Sequence, residues 1–165
     1  MKKTFLFLIT LAMLITSFWN SAYSVQAESN VNTDQRVVSE TTAYFEDGSY
    51  MTMIVTETSR ETRGSVYEKT GASHGILHDK NGNELWRFTV YGSFSVNPGV
   101  SATCTSASYS ISITYSAWQN QSASASYSGN QASGDATFIR KLLGITVETK
   151  GCHVVLTCDS NGNLS

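Results

Sequence analysis

The sequence lacks charge over a long central segment. Between Phe88 and Gly134 there is no Lys, Arg, Asp or Glu, so only Ser, Thr, Asn and Gln can solvate that segment. Beyond residue 27 the chain has nine basic and thirteen acidic side chains, a net charge of about −4. An acidic chain is repelled by polyanions, which argues against nucleic acid and against an anionic membrane surface as partners.

The sequence also has little of what helices and catalytic sites need. No segment shows the 3.6-residue hydrophobic period of an amphipathic helix, and the single proline, Pro98, falls in a predicted loop. The charge-free segment leaves few carboxylates that could pair as acid and base. These absences favour an all-β protein and argue against catalysis.

The N-terminus is typical of a secretory signal peptide. Two lysines precede an apolar run, Phe5–Phe18, and Val25-Gln26-Ala27 provides residues that a signal peptidase accepts. The run of about 14 residues is shorter than the ~20 needed to span a bilayer. We therefore expect cleavage between Ala27 and Glu28, release of a secreted, extracellular chain, and no membrane insertion after cleavage.

The mature chain is long enough for one domain. The predicted signal peptide covers 1–27, a flexible N-terminus follows over 28–35, and a single domain occupies 36–165. The 138 residues of the mature chain can build one hydrophobic core but are few for two domains.

The serine-rich stretch SASYSISITYSAW, Ser106–Trp118, is interpreted as a strand. Apolar and aromatic residues occupy the odd positions from Ala107 to Ala117, and Ser or Thr occupies the even positions before Trp118. Strict alternation is the period of a strand with one buried and one solvated face, whereas a flexible linker would show no period. Trp118 breaks the pattern because it falls on the serine-bearing face.

Seven further segments show the alternation or the flanking turns of strands. They are Val37–Phe45, Tyr50–Thr58, Ser73–His78, Glu84–Val96, Ser122–Ser128, Ala132–Arg140 and Ile145–Thr157. Short strands separated by turn signals such as Asn81-Gly82 predict an all-β fold, an antiparallel β-sandwich or partly open barrel of about eight strands. The segment Glu57–Ala72 stays open between a long loop and a strand extension through Val66 and Tyr67.

Four segments carry a resemblance to a known family. YFEDGSY (44–50), DKNGNELWRFTVYGSFSVN (79–97), CTSASYSISITYSAW (104–118) and VVLTCDSNGNLS (154–165) are similar to segments of a family of small secreted proteins of Gram-positive gut and soil bacteria. The most specific part is G-x-F-x-x-N followed by Cys, with Leu-Thr-Cys near the end of the chain. The resemblance implies an extracellular β-protein and brings no activity with it.

The three cysteines predict one disulfide. Secretion favours oxidation, but Cys152 and Cys158 lie ~20 Å apart on one predicted strand, beyond the ~7 Å that a disulfide allows. Cys104 opens its strand and Cys158 closes the last one, so antiparallel neighbours would bring them together, and the resembling family has cysteines at both places. We expect a Cys104–Cys158 disulfide and a free, buried Cys152, with an intermolecular dimer through Cys152 as the complication.

Two patterns look like metal sites but are better explained otherwise. His74 and His78 are four apart, which on a strand separates them by ~13 Å, too far for one ion. Asp79-x-Asn81-Gly82-Asn83 recurs at 159–163, but its glycine is fourth and not sixth, as a helix-flanked calcium loop requires. We expect hairpin turns at both places, and neither a metal nor a cofactor.

The remaining residue types favour binding over catalysis. A hydrolase needs at least two tuned ionisable groups in one cleft, whereas a binding site can use aromatic and neutral polar groups. Trp118 and Tyr91 are aromatic residues on predicted wet faces, so we expect them to bind ligand unless Trp118 covers an edge of the core. The sequence predicts a secreted, non-enzymatic binding module for an extracellular glycan or protein. The alternative is a small extracellular hydrolase acting on a polymer.

Overall fold

The computed structural model describes residues 35–58 and 65–165. The predicted signal peptide, its cleavage site between Ala27 and Glu28, and the segment 28–34 lie outside the described residues. Every described strand belongs to one compact unit, Thr33–Ser165.

In the described ranges, eight strands form two antiparallel sheets. They are β1 (Gln35–Tyr44), β2 (Tyr50–Thr58), β3 (Tyr67–His78), β4 (Glu84–Asn97), β5 (Ser101–Ile113), β6 (Trp118–Ser128), β7 (Gln131–Leu142) and β8 (Ile145–Thr157). The larger sheet has the order β1-β2-β3-β4-β5 and the smaller sheet the order β6-β7-β8. The prediction of an all-β, antiparallel, sandwich-like fold is confirmed. The described part of the chain contains no helix that is long and apolar enough to cross a membrane.

The turn after β3 is held by one aspartate. The Asp79 Oδ1 atom accepts hydrogen bonds from the amides of Asn81 (2.8 Å) and Asn83 (2.9 Å), and its Oδ2 atom accepts one from the Asn83 side chain at 2.9 Å. Gly82 has a φ of +89°, a conformation that costs glycine little. The same bonds recur at Asp159. The hairpin-turn interpretation of both repeats is confirmed.

The core lies between the two sheets. Buried side chains of the larger sheet face buried side chains of the smaller sheet: Trp86, Phe88, Val90, Phe94 and Val96 belong to one cluster with Ala132, Ala136, Phe138, Val154 and Leu156. A Cβ atom added to Gly134 would lie 2.6 Å from Val90 Cγ2 and 2.8 Å from the Ser124 carbonyl oxygen. The sheets therefore approach too closely at this point for any residue but glycine.

The serine-rich strand ends earlier than its alternation indicated. β5 stops at Ile113, a turn follows, and Trp118 begins β6. The turn is bonded to β4, because the amides of Thr114 and Tyr115 both donate to the Leu85 carbonyl. The alternation beyond Ile113 does not mark a strand, so the prediction of a single strand through Trp118 was wrong.

The segment left open between loop and strand is partly a strand. β3 begins at Tyr67, whose hydroxyl donates to the Asn161 carbonyl at 3.1 Å, while residues 59–64 lie outside the described part. Glu57 is buried on β2 beside Lys69 (2.5 Å) and Arg36 (2.6 Å). The hydrogen bond from Lys69, together with that from Arg36, holds the pKa of Glu57 below its usual value. This ion triad compensates the burial of the Glu57 carboxylate.

Candidate functional site

A cleft of about 550 Å³ opens at one end of the sandwich. Three turns surround it, those after β1, β3 and β5, together with the end of β7 and the beginning of β8. Leu77, Leu85 and Trp118 supply apolar lining, and charged side chains stand around them. We call this region the end cleft.

The wall on the smaller sheet is one row of paired residues. Trp118 pairs with Arg140 across β6 and β7, and Arg140 pairs with Glu148 across β7 and β8, so the three side chains share a face. The Arg140 Nε atom donates to Glu148 Oε2 at 2.9 Å. Lys150 Nζ lies 3.5 Å from the other carboxylate oxygen and also covers the Phe45 ring at 3.9 Å. Strand pairing therefore places Arg140 and Glu148, which lie outside the uncharged segment, in one row with Trp118.

The opposite wall is built from turn aspartates. Asp47 Oδ1 accepts hydrogen bonds from the hydroxyl of Ser49 at 2.5 Å and from its amide at 2.9 Å, and these bonds lower the pKa of Asp47. The side chain and then the amide of Asn83 lower the pKa of Asp79 in the same way. Both carboxylates are thus ionised at neutral pH and fixed in position, so each can accept a hydrogen bond from a ligand.

Glu84 and Lys80 complete the charged rim. Glu84 is held by Arg87, whose Nη2 atom lies 2.6 Å from Glu84 Oε2. Lys80 lies in the turn after β3 and lines the cleft without an ion pair among the described residues. The lining therefore has four carboxylates and two cations, counting Arg140, and a net charge of −2.

Trp118 lines the end cleft but is only 3 % exposed. Its ring packs edge-on against Trp86, with the ring centroids 6.3 Å apart and the planes at 70°. It belongs to the core cluster, so it forms part of the floor and cannot offer a free ring face to a ligand. This is the core-lid arrangement that the sequence left as the alternative.

Tyr91 lies away from Trp118. It is exposed on the outer face of the larger sheet, pairs with Ser108 on β5, and its hydroxyl is 3.2 Å from Ser110 Oγ. A shallow depression of about 250 Å³ adjoins it, lined mostly by small and polar residues such as Ser93. The structure does not bring the two predicted ligand-binding residues together. Tyr91 lies on the outer face of the larger sheet, whereas Trp118 lies on the inner face of the smaller sheet.

Tyr115 is the residue that sequence reasoning missed. It stands at the rim of the end cleft and is 52 % exposed, with a ring that ligand can reach. Alternation had assigned it to the buried face of a strand, but β5 ends before it and the turn carries it outward. Its bond to Leu85 is a tertiary contact, so no local signal could have revealed this position.

All three cysteines of the chain are free and buried. Cys152 is buried, and its burial raises the pKa of the thiol to about 12. The predicted Cys104–Cys158 disulfide is not formed in the structure, and the two Sγ atoms lie against different carbonyls, those of Ser106 (3.3 Å) and Asp159 (3.6 Å).

Cys104 and Cys158 are neighbours for a different reason from the one expected. β5 and β8 lie in different sheets, so strand pairing does not join them. The turn between β6 and β7 joins them instead. The Cys104 amide donates to the Gly129 carbonyl at 2.7 Å, and the Cys158 amide donates to the Asn130 carbonyl at 3.0 Å. Burial raises the pKa of Cys158 to about 11, and nearby Cys104 contributes to the rise.

The histidines serve the sheet and not a ligand site. His74 bridges two threonines across strands, with Nε2 at 3.2 Å from Thr56 and Nδ1 at 2.9 Å from Thr89. His78 stacks on Tyr50 at 4.7 Å. Within residues 35–58 and 65–165 no cluster of three or more His, Cys, Asp or Glu side chains could hold a metal ion.

Comparison with known proteins does not assign the end cleft to a class. Family models, curated proteins and solved structures give no match to the chain. A functional interpretation therefore rests on the geometry and charge of the cleft itself.

Proposed function

We propose that this chain is a secreted, non-enzymatic binding module that holds an extracellular glycan in the end cleft. The single observation that carries the proposal is the lining: an exposed Tyr115 ring stands beside fixed carboxylates and cations in one concavity of about 550 Å³. Sugars present apolar ring faces and many hydroxyl groups. Such a ligand matches an aromatic platform surrounded by charged acceptors and donors.

The charge of the cleft selects among glycans. With four carboxylates against two cations, the lining repels anionic polymers and favours neutral or amino sugars. Asp47 and Asp79 are held by their own turns and need no rearrangement to accept hydroxyl hydrogen bonds. Preorganised acceptors cost the site little entropy when ligand binds.

Secretion is part of the same proposal. All eight described strands begin at or after Gln35, beyond the predicted cleavage site, so removal of residues 1–27 would leave every one of them intact. The resemblance to small secreted proteins of Gram-positive bacteria points to the same compartment. In that oxidising environment we propose that Cys104 and Cys158, which flank one turn, become linked.

A small hydrolase is the second candidate, because the end cleft brings together four carboxylates that the sequence had not grouped. A glycosidase needs one of its two carboxyl groups protonated at working pH. Turn hydrogen bonds lower the pKa of Asp47 and Asp79, which disfavours both as the acid. Glu84 and Glu148 are committed to arginine partners. Binding is therefore the better-supported function.

The test compares two tyrosines of equal exposure. Tyr115 is 52 % exposed in the cleft rim, and Tyr127 is 53 % exposed near the other end of β6. We expect the mature chain to bind insoluble chitin or cellulose in a sedimentation assay. Tyr115→Ala should weaken that binding about tenfold, the equivalent of ~1.4 kcal/mol, while Tyr127→Ala should not.

Two outcomes would contradict this function. Equal binding by the Tyr115→Ala and Tyr127→Ala variants would remove the end cleft as the ligand site. Release of soluble reducing sugar by the parent protein, abolished by Glu84→Gln or Glu148→Gln, would favour the hydrolase instead.

A further inference from the structure

The hairpin that joins β7 and β8 projects an apolar tip into solvent. Its exposed side chains are Leu142, Leu143, Ile145 and Val147. Leu143 is 96 % exposed, which is unusual for so large an apolar side chain at the end of a strand. Arg140 and Glu148 pair in the wall of the end cleft, and the hairpin continues beyond them through the Lys141–Thr146 and Leu142–Ile145 pairs to its tip.

The backbone of this tip is strained at one of its exposed apolar residues, Leu143. Leu143 has a φ of +51°, the left-handed region, and is the one non-glycine residue with positive φ in the described part of the chain. Glycine or asparagine would adopt this conformation at lower cost, and Gly144 beside it does so at +82°. A strained, exposed leucine indicates a role outside the folding of this chain.

We propose that the β7–β8 hairpin tip docks the protein on a lipid bilayer by inserting into the interfacial region. Four side chains of this kind offer on the order of a few hundred Å² of apolar surface. A stable dimer or protein complex buries ~800 Å² on each partner, so the tip is too small for that purpose. It is large enough, and convex enough, to enter the headgroup boundary.

The charges around the tip fit this partner. No Asp or Glu occurs between Asp135 and Glu148, and Glu148 is already paired with Arg140 and Lys150, so insertion desolvates no free carboxylate of the hairpin. Lys141 is exposed beside the tip and can reach a lipid phosphate while its neighbours insert.

This proposal is independent of glycan binding and revises one expectation. The sequence indicated no membrane insertion because the chain is acidic and has no amphipathic helix. A hairpin tip needs neither a helix nor a positive net charge, because apolar burial drives the docking. Binding should therefore be similar at low and high salt, since hydrophobic attraction is not screened by ions.

The experiment measures binding of the mature chain to phosphatidylcholine vesicles by flotation. The Leu142→Ser/Leu143→Gly variant should lose binding at least tenfold and remain folded, because glycine relieves the strained φ. Val100→Ser is the matched control: Val100 is 72 % exposed in the turn after β4, and Ile145 is 70 % exposed in the tip. Ile145→Ser should weaken binding and Val100→Ser should not.

Four results would overturn the proposal. The first is failure of the parent protein to float with these vesicles. The second is binding that requires anionic lipid and vanishes in salt, which would indicate adsorption by charge. The third is equal loss with Val100→Ser. The fourth is a concentration-dependent dimer in sedimentation that Leu143→Gly abolishes, which would assign the tip to a second copy of the chain.

Discussion

Trp118 can be tested by two substitutions that differ in what they leave behind. Trp118→Ala removes the whole ring from the junction of the core and the end cleft, where it contacts Trp86. Trp118→Phe keeps an aromatic ring there and removes the indole N–H. In the structure that N–H is buried and has no hydrogen-bond partner.

The expected magnitudes follow from these contacts. Truncation of a buried aromatic residue to alanine costs ~3–5 kcal/mol. A buried donor without a partner costs about 1–3 kcal/mol, and both variants remove that cost because they lack the indole N–H. We therefore expect Trp118→Ala to lower the free energy of unfolding by about 3 kcal/mol and Trp118→Phe by about 1 kcal/mol or less.

Urea unfolding followed by far-UV circular dichroism measures both values, with the slope against denaturant unchanged. A loss of about 3 kcal/mol is a large part of the ~5–15 kcal/mol that stabilises a domain. If Trp118→Ala unfolds within about 1 kcal/mol of the parent and yet loses glycan binding, Trp118 is a ligand platform and not a core lid. A phenylalanine variant as unstable as the alanine variant would show that the N–H is bonded.

Three further predictions concern packing, pH and redox state. Gly134→Ala should destabilise the fold by ~1–3 kcal/mol in urea unfolding, because the added Cβ would meet core side chains and a carbonyl oxygen. Gly151→Ala is the control and should change stability little, because the space around Gly151 is open. Equal effects of the two substitutions would refute the close approach of the sheets. Burial lowers the pKa of His74 below 6.5, so the stability it contributes is complete above that pH and is lost as pH falls through its folded pKa. His74→Gln should flatten stability between pH 7 and pH 5, and an unchanged pH profile would contradict this. Mild oxidation should link Cys104 to Cys158, and non-reducing peptide mapping that finds either one joined to Cys152 would refute the pairing.

Local sequence determined the strands and their turns. Alternation along 84–96 predicted β4 almost to the residue, because one buried and one solvated face impose a period of two, and the turn at Gly144 predicted where β8 begins. The Asp79 turn was also predictable from local sequence, because the Asp79 side chain accepts its hydrogen bonds from residues within the same five-residue segment. These features depend on neighbours in the chain.

The candidate site depended on tertiary structure. Tyr115 followed the alternation of β5, but it is carried outward because the amides of Thr114 and Tyr115 donate to the Leu85 carbonyl. Leu85 lies thirty residues before Tyr115 in the sequence, so this contact leaves no trace in the local period. Arg140 and Glu148 lie beside Trp118 because of how β6, β7 and β8 pair. The sequence of the uncharged segment does not specify that pairing. Cys104 and Cys158 met at a turn belonging to neither strand. Contacts between distant residues form when two sheets pack, and their energies do not appear in the periodicity of any one segment.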